Sequence, residues 1–407
     1  MGDTVLLAHG SGGSMMRELI EGLFFDAYGS AELLRGDDAA ILETLAAGGA
    51  DAGRLALSTD TFVVSPYFFP GGDIGRLAVC GTVNDVATSG AVPLWLSVGF
   101  ILEEGLPLAD LRGICASMAA AAREAGVRIV TGDTKVVERG HGDGIYINTT
   151  GVGLFAPALG YADSGHRGTR RALSGADCQP GDRVLLSGTL GDHGIAIVSA
   201  RENLGFTSTI ESDVAPLNHL VADVLDLAPH TRCFRDPTRG GLASTLNELA
   251  MQSQVAIIVE EEAVPVHDAV RGACEMLGYD IFQVANEGKM VAVVPAQEAE
   301  AALCAMRASR YGKDAALIGE VAAIEGGAVD GVSAASAVGS VGAAGAAGGD
   351  GGGAVGAVGA TGGDGGGGGR RTDRAYAGAE PLVTVRTAFG SQRVLDMLVG
   401  EQLPRIC

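Results

Sequence analysis

Residues 54–91 read RLALSTDTFVVSPYFFPGGDIGRLAVCGTVNDVATSGA. The first part, residues 54–67, is rich in β-branched side chains and reads as a strand. The second, residues 72–89, reads as a helix with Leu77, Val79, Cys80 and Val83 available for an inner face. Acids punctuate the pair: Asp60 follows the strand's apolar run, and Asn84-Asp85 sits inside the helix.

The same grammar continues outward. Residues 94–102 (LWLSVGFIL) form a strand, 108–125 an Ala-rich helix capped by Gly126, and 128–137 and 144–155 further strands. After a Gly-, Ser- and Arg-rich connection at 161–180, strands are expected at 183–187, 255–259, 289–294 and 316–321. Helices are expected at 193–203, 217–228, 241–253 and 297–310. The mixture gives an α+β or α/β chain with two sheet domains. The domains are expected at 1–160 and 161–325.

Residues 326–378 are dominated by Gly and Ala and carry few large apolar side chains. Such a segment is expected to be a flexible linker, because it buries too little to offset its ordering entropy. No strict Gly-X-Y period supports collagen. A patterned segment returns at 379–407, read as a mobile tail ending in Cys407.

Composition narrows the function. A formal net charge of -21 argues against a nucleic-acid-binding face. The seven cysteines form no CxxC pair or compact disulfide framework, which fits a reducing compartment. No basic segment followed by an apolar run marks a signal peptide, and the apolar runs fall short of a membrane span. A cytoplasmic protein is expected.

The acids that carry chemistry lie beside small or polar residues: Asp37-Asp38 in RGDDAA, Asp60 in STDTF, Asp85 in VNDVA, Asp133 in TGDTK and Asp236 in RDPTRGG. Each alone suits a turn or cap. Together they suit Mg²⁺, which takes one or two carboxylates plus phosphate oxygens. Gly10-Ser11-Gly12-Gly13 offers a close backbone approach to phosphate, but the Walker pattern GxxxxGK[ST] is absent. Period two places Asp133 and Lys135 on one strand face, as an ion pair or a phosphate and proton contact. Glu287 lies in a polar break, VANEGK, and Gly191-Asp192-His193-Gly194 reads as a helix start. The chain closes on GEQLPRIC, whose terminal thiol can act as a nucleophile or carry an acyl-like group. The cysteine is last, so this is no prenylation signal.

Together LAHGSGG, GDDAA, residues 58–91, TGDTKVV, SGTLGDHG, RDPTRGGLA, ANEGK and TAFGSQRVLDMLVGEQLPRIC closely resemble the hydrogenase maturation factor HypE family. That family belongs to the PurM-like ATP-binding superfamily of aminoimidazole ribonucleotide synthetase and selenophosphate synthetase. The resemblance implies a dimerising N-terminal sheet domain, a C-terminal α/β domain, and ATP with Mg²⁺ as cofactors. It implies nucleotide contacts from Asp38, Asp60, Asn84, Asp85, Asp133 and Asp236, with Asp38, Asp85 and Asp236 on the metal. Cys407, Lys135 and Glu287 are the implied catalytic residues. The implied reaction is dehydration of an S-carboxamide to a thiocyanate, a source of cyanide for nickel–iron hydrogenase. The implied partners are a second copy, the carbamoyltransferase HypF and a HypC–HypD iron scaffold. Residues 326–378 depart from the family pattern, in which the body runs almost directly into TAFG. Two alternatives remain at this stage: another ATP-using superfamily enzyme, such as a kinase or cyclo-ligase, and a metal-delivery protein using Cys407 as ligand.

Overall fold

The computed structural model describes residues 6–10, 13–28, 30–43, 54–155, 171–204, 210–324, 381–398, 403 and 405–407. The segment 326–378, together with Ser11 and Gly12, lies outside them. All the described residues belong to one compact unit.

At the N-terminus, α1 (Ser14–Leu19) and α2 (Phe25–Tyr28) flank a π-helical turn. The first sheet contains β1 (Ala40–Glu43), β2 (Arg54–Phe62), β5 (Val92–Glu103), β6 (Arg128–Val137) and β7 (Ile145–Leu154), in the order β1-β2-β7-β5-β6. Its pairs are antiparallel except β5–β6, which is parallel. The short strands β3 (Phe68–Phe69) and β4 (Gly72–Asp73) pair separately.

Helix α3 (Ile74–Thr88) covers the inner face of this sheet. Its N-cap Asp73 accepts hydrogen bonds from the N–H groups of Gly75 and Arg76. Leu77, Ala78, Val79, Cys80 and Val83 are fully buried. Helix α4 (Leu108–Ala125) adds Ile114, Met118, Ala121, Ala122 and Ala125 to the same core, spaced as one helical face. Along β7 buried and half-buried residues alternate, as a strand with one covered face requires.

The second sheet has the order β14-β13-β10-β12-β8-β11-β9. It is built from β8 (Arg183–Leu186), β9 (Cys233–Arg235), β10 (Ala256–Glu260), β11 (Val291–Val294), β12 (Ala316–Ala322), β13 (Val383–Arg386) and β14 (Gln392–Val394). Helices α5 (Asp192–Arg201), α6 (Asn218–Leu227), α7 (Gly241–Ser253), α8 (Asp268–Leu277) and α9 (Ala299–Ala308) accompany it. Leu242, Leu246 and Leu249 of α7 pack on one face, and Leu220, Val224, Ala302 and Met306 of α6 and α9 on the other.

Two sequence expectations are corrected here. The strand expected over 54–67 stops at Phe62, because the next backbone groups pair with the C-terminus: the N–H of Val63 donates to Cys407 O at 3.1 Å and that of Ser65 to Arg405 O at 3.2 Å. The segment 379–407 is also not a tail throughout. Val383 and Val385 are fully buried, which draws β13 into parallel pairing with β10, and β14 folds back antiparallel to it. Among the described residues, no helix is long and apolar enough to cross a membrane.

Candidate active site

A pocket of about 220 Å³ lies where β2, α3, the turn after β9 and the chain terminus meet. It is lined by Asp38, Ser58, Thr59, Asp60, Gly81, Asp85, Asp236, Thr238, Arg239, Glu287 and Cys407. Residues scattered from position 38 to 407 therefore share one small space. Asp60 comes from the end of β2, and Asp85 from α3, where Ser58 Oγ donates to its Oδ2 at 2.8 Å.

Asp236 and Arg239 come from the turn 236–240. That turn needs its glycines. Gly240 and Gly241 both have positive φ, at 77° and 59°. A Cβ on Gly241 would also lie 2.6 Å from the carbonyl oxygens of Phe282 and Val284. Asn286 locks the neighbouring segment to this turn, donating its amide and its backbone N–H to Pro237 O. Glu287 follows, and its N–H donates to Asp213 Oδ1 at 3.0 Å. Asp213 is itself held by the buried Lys289, 3.0 Å from its Oδ2. Gly288 makes this packing possible, since a Cβ there would overlap Asp213 O at 1.7 Å.

The terminus is seated by backbone bonds rather than by its thiol alone. Besides the two bonds from Val63 and Ser65, His193 Nε2 lies 2.8 Å from Ile406 O and Arg201 donates to Arg405 O at 2.7 Å. A carbonyl can only accept, so Nε2 carries the proton and Nδ1 accepts from Ser212 Oγ, 2.8 Å away. Burial lowers the pKa of His193, which favours this neutral form. Ile406 is buried in the first core, and Arg405 pairs with Asp143. The Cys407 thiol and the Glu287 carboxyl line the same small pocket.

The electrostatics are those of buried carboxylates that outnumber the arginines beside them. Burial, then the neighbouring Asp38, pushes Asp236 up to about 8. Burial raises Asp38 to about 6 despite Arg235, whose Nε is 3.0 Å from Asp38 Oδ1. Asp85 and Glu287 are raised well above the usual carboxylate range, by burial first and by acidic neighbours second. Asp38 Oδ2 and Glu287 Oε1 are buried without hydrogen-bond partners. Hard oxygen donors of this kind fit a divalent cation. Among the described residues no three metal-ligating side chains form a ready cage.

The pocket therefore gathers Asp38, Asp60, Asp85, Asp236, Glu287 and Cys407 from the sequence-derived set. It does not gather Asn84, Asp133 or Lys135. Asn84 is a brace: its amide donates to Ala215 O at 3.0 Å and its Oδ1 accepts from the N–H of Leu217 at 2.8 Å. Asp133 and Lys135 pair with each other at 2.5 Å on the exposed edge strand β6, with their side chains 72% and 68% exposed. Asp37 also faces away, accepting from Ser174 Oγ and the N–H of Gly175. His9 accepts from the N–H of Leu6, a local structural bond. Arg239 was not singled out in the sequence, although the signal was present in RDPTRGG: a cation fixed between Thr238 and a glycine turn.

A second cavity of about 410 Å³ shares Asp38, Asp236, Thr238 and Arg239 with the pocket. It adds Arg17, Arg35 and Arg235 with the apolar Met16, Ile20, Phe25 and Leu34.

Comparison with known proteins places this geometry. The family models for the AIR synthase related protein N-terminal and C-terminal domains match residues 36–155 and 179–331. The carbamoyl dehydratase HypE of Azotobacter vinelandii is 47% identical over 404 residues, covering 99% of this chain and 97% of the relative. That of Escherichia coli K12 is 48% identical over 319 residues, covering 78% and 91%. A crystal structure of a HypE–HypF complex is similar with a TM-score of 0.72 and 41% identity, covering 93% of this chain and 99% of that one. A HypE crystal structure in complex with ATP has a TM-score of 0.68 and 42% identity, covering 99% and 100%.

Proposed function

We propose that this chain, which belongs to the HypE carbamoyl dehydratase family of AIR synthase related proteins, dehydrates a carboxamide carried on its own Cys407 sulfur. ATP drives the reaction and a thiocyanate results, the cyanide source in nickel–iron hydrogenase maturation. The observation that carries this reading is that Cys407 lines one small pocket with Glu287 and four aspartates.

In the proposed reaction the carboxamide oxygen attacks the γ-phosphorus of ATP, and the bond to the β-phosphate bridging oxygen breaks. One amide proton leaves as the O-phosphorylated imidate forms. The remaining N–H proton is then removed, the C–O bond breaks, and phosphate departs to leave S–C≡N. The products balance as ADP, phosphate, one proton and the thiocyanate.

Glu287 suits the proton-accepting role: its Oε1 has no partner, it lines the pocket beside Cys407, and burial raises its pKa well above the usual carboxylate range. Asp38, Asp85 and Asp236 would hold Mg²⁺, which when bound offsets charge on the phosphates. The adjoining cavity, with its arginines and apolar wall, supplies space beside the pocket for the nucleotide.

The expected partners follow from the family resemblance and from the HypE–HypF complex of a relative. A carbamoyltransferase of the HypF kind loads the thiol, and a HypC–HypD iron scaffold accepts the cyano group. A second copy of this chain is proposed to pair along β6, bringing Asp133 and Lys135 to the neighbouring site. Chemistry that needs ATP and a reduced thiol suits the cytoplasm.

Infrared spectroscopy on loaded protein tests the reading. A nitrile stretch that shifts with ¹³C in the carbamoyl donor should appear only after ATP is added. A loaded protein that hydrolyses ATP without that band would favour an ordinary superfamily kinase.

A further inference from the structure

We infer that Arg239 is a catalytic residue of the dehydration, its guanidinium gripping the oxygen of the Cys407 carboxamide and carrying it onto the transferring phosphoryl group. This rests on the functional reading above and adds a residue to it.

Among the described residues lining the 220 Å³ pocket, Asp38, Asp60, Asp85, Asp236 and Glu287 are acids and Arg239 is the one cation. Its nearest paired acid is Asp60, whose Oδ1 lies 3.6 Å away, beyond a tight hydrogen bond. The planar fork is therefore not saturated by that carboxylate. It lines the pocket together with Cys407, Asp60 and Glu287. The backbone that presents it is rigid, with two consecutive left-handed glycines following it and Asn286 clamping Pro237 before it.

The chemistry needs a donor in this place. When the carboxamide oxygen bonds to phosphorus, negative charge gathers on the phosphoryl oxygens within a pocket otherwise walled by acids. Glu287 lines the same pocket as Cys407 and is the proton acceptor of the proposed reaction. The Arg239 guanidinium holds the oxygen toward phosphorus, and its donors then follow the oxygen into the departing phosphate. The arginine keeps its proton throughout, so the atom balance given above is unchanged.

The test uses the full-length protein, a carbamoyl donor, an active carbamoyltransferase and Mg-ATP, with R239A and R239K. The mass of the C-terminal peptide gives carboxamide loading without ATP and, in a single turnover, the rate at which one water is lost. We expect both variants to load like wild type and to dehydrate on the order of 100-fold more slowly at saturating ATP, with a smaller change in the KM for ATP. Added guanidinium ion should restore R239A in part. R239K keeps the charge beside Asp60 but lacks the fork. If R239K dehydrates at the wild-type rate, pairing with Asp60 is all the arginine supplies and the inference is overturned. A wild-type rate in R239A, or a loss confined to KM, overturns it as well. A wild-type carboxamide that never loses water would sink the functional reading instead, which separates the two failures.

Discussion

Glu287 is 3% exposed, and its Oε1 has no hydrogen-bond partner. A buried carboxyl left in that state costs stability unless something is meant to meet it. Its pKa is raised, so the acid limb of the dehydration rate should lie above the usual carboxylate range: as pH falls through the raised value, Glu287 gains its proton and stops accepting another. E287Q should load with carboxamide yet dehydrate roughly 100-fold or more slowly and lose that limb, as a single-turnover pH profile would reveal. Asp236, raised to about 8, and Asp38, raised to about 6, have a different consequence. Their protonated forms favour the fold, so that stability is full below the unfolded value of 3.8 and is lost as pH rises through about 6 and about 8. The metal-free protein should therefore melt lower at pH 8.5 than at pH 5, with Mg²⁺ raising Tm more at the alkaline end. A Tm insensitive to Mg²⁺ at both pH values would contradict the metal assignment. Individual residues were also where the sequence was most legible. The acids at 38, 60, 85 and 236, each set in a short motif of small or polar residues, share the pocket. Asn84 was not separable from Asp85 by sequence. On α3 one residue of rotation turns its amide away to bind Ala215 and Leu217.

At the scale of elements, the terminus behaves as a docked strand rather than a free arm. Val63, Ser65, His193 and Arg201 hold the backbone oxygens of Arg405, Ile406 and Cys407. Burial and Glu287 push the Cys407 thiol well up, so the seated sulfur is not a thiolate and is a poor nucleophile. Loading must then take place on an undocked terminus, and dehydration on a docked one. H193A removes one bond to a buried carbonyl, worth about 1–1.5 kcal/mol. It should speed alkylation of Cys407 by iodoacetamide roughly tenfold, on the scale of about 1.4 kcal/mol per decade. Unchanged labelling would mean that His193 does not hold the docked state. The bounds of β6 and α7 could be read from the sequence because each has one clear period and clear stops. The strand expected over 54–67 was overextended because its continuation pairs with residues more than 300 positions later, which no local pattern encodes. For the same reason β13 was read as tail: its parallel partner β10 lies across the segment 326–378.

For the whole molecule, β6 is the exposed edge of the first sheet. It lies at the sheet edge, exposed along nearly all its length, with Ile129, Val130 and Val136 at 41%, 56% and 67% exposure. An edge of this kind invites pairing. A second copy across it would return Asp133 and Lys135 to chemistry. Mixing K135A with C407S, each inactive alone, should restore dehydration in the mixture, because one site of the mixed dimer then has both Cys407 and the neighbouring Lys135. No restoration in a demonstrated mixed dimer would place Lys135 outside the partner's site. The central claim, that Cys407 carries the group being dehydrated, is tested most directly by mass spectrometry of the C-terminal peptide. The protein is incubated with carbamoyl donor and active transferase, with and without Mg-ATP. The account predicts a carboxamide on Cys407 without ATP and the loss of one water from that adduct once ATP is present. An unmodified Cys407 beside a demonstrably active transferase would contradict it.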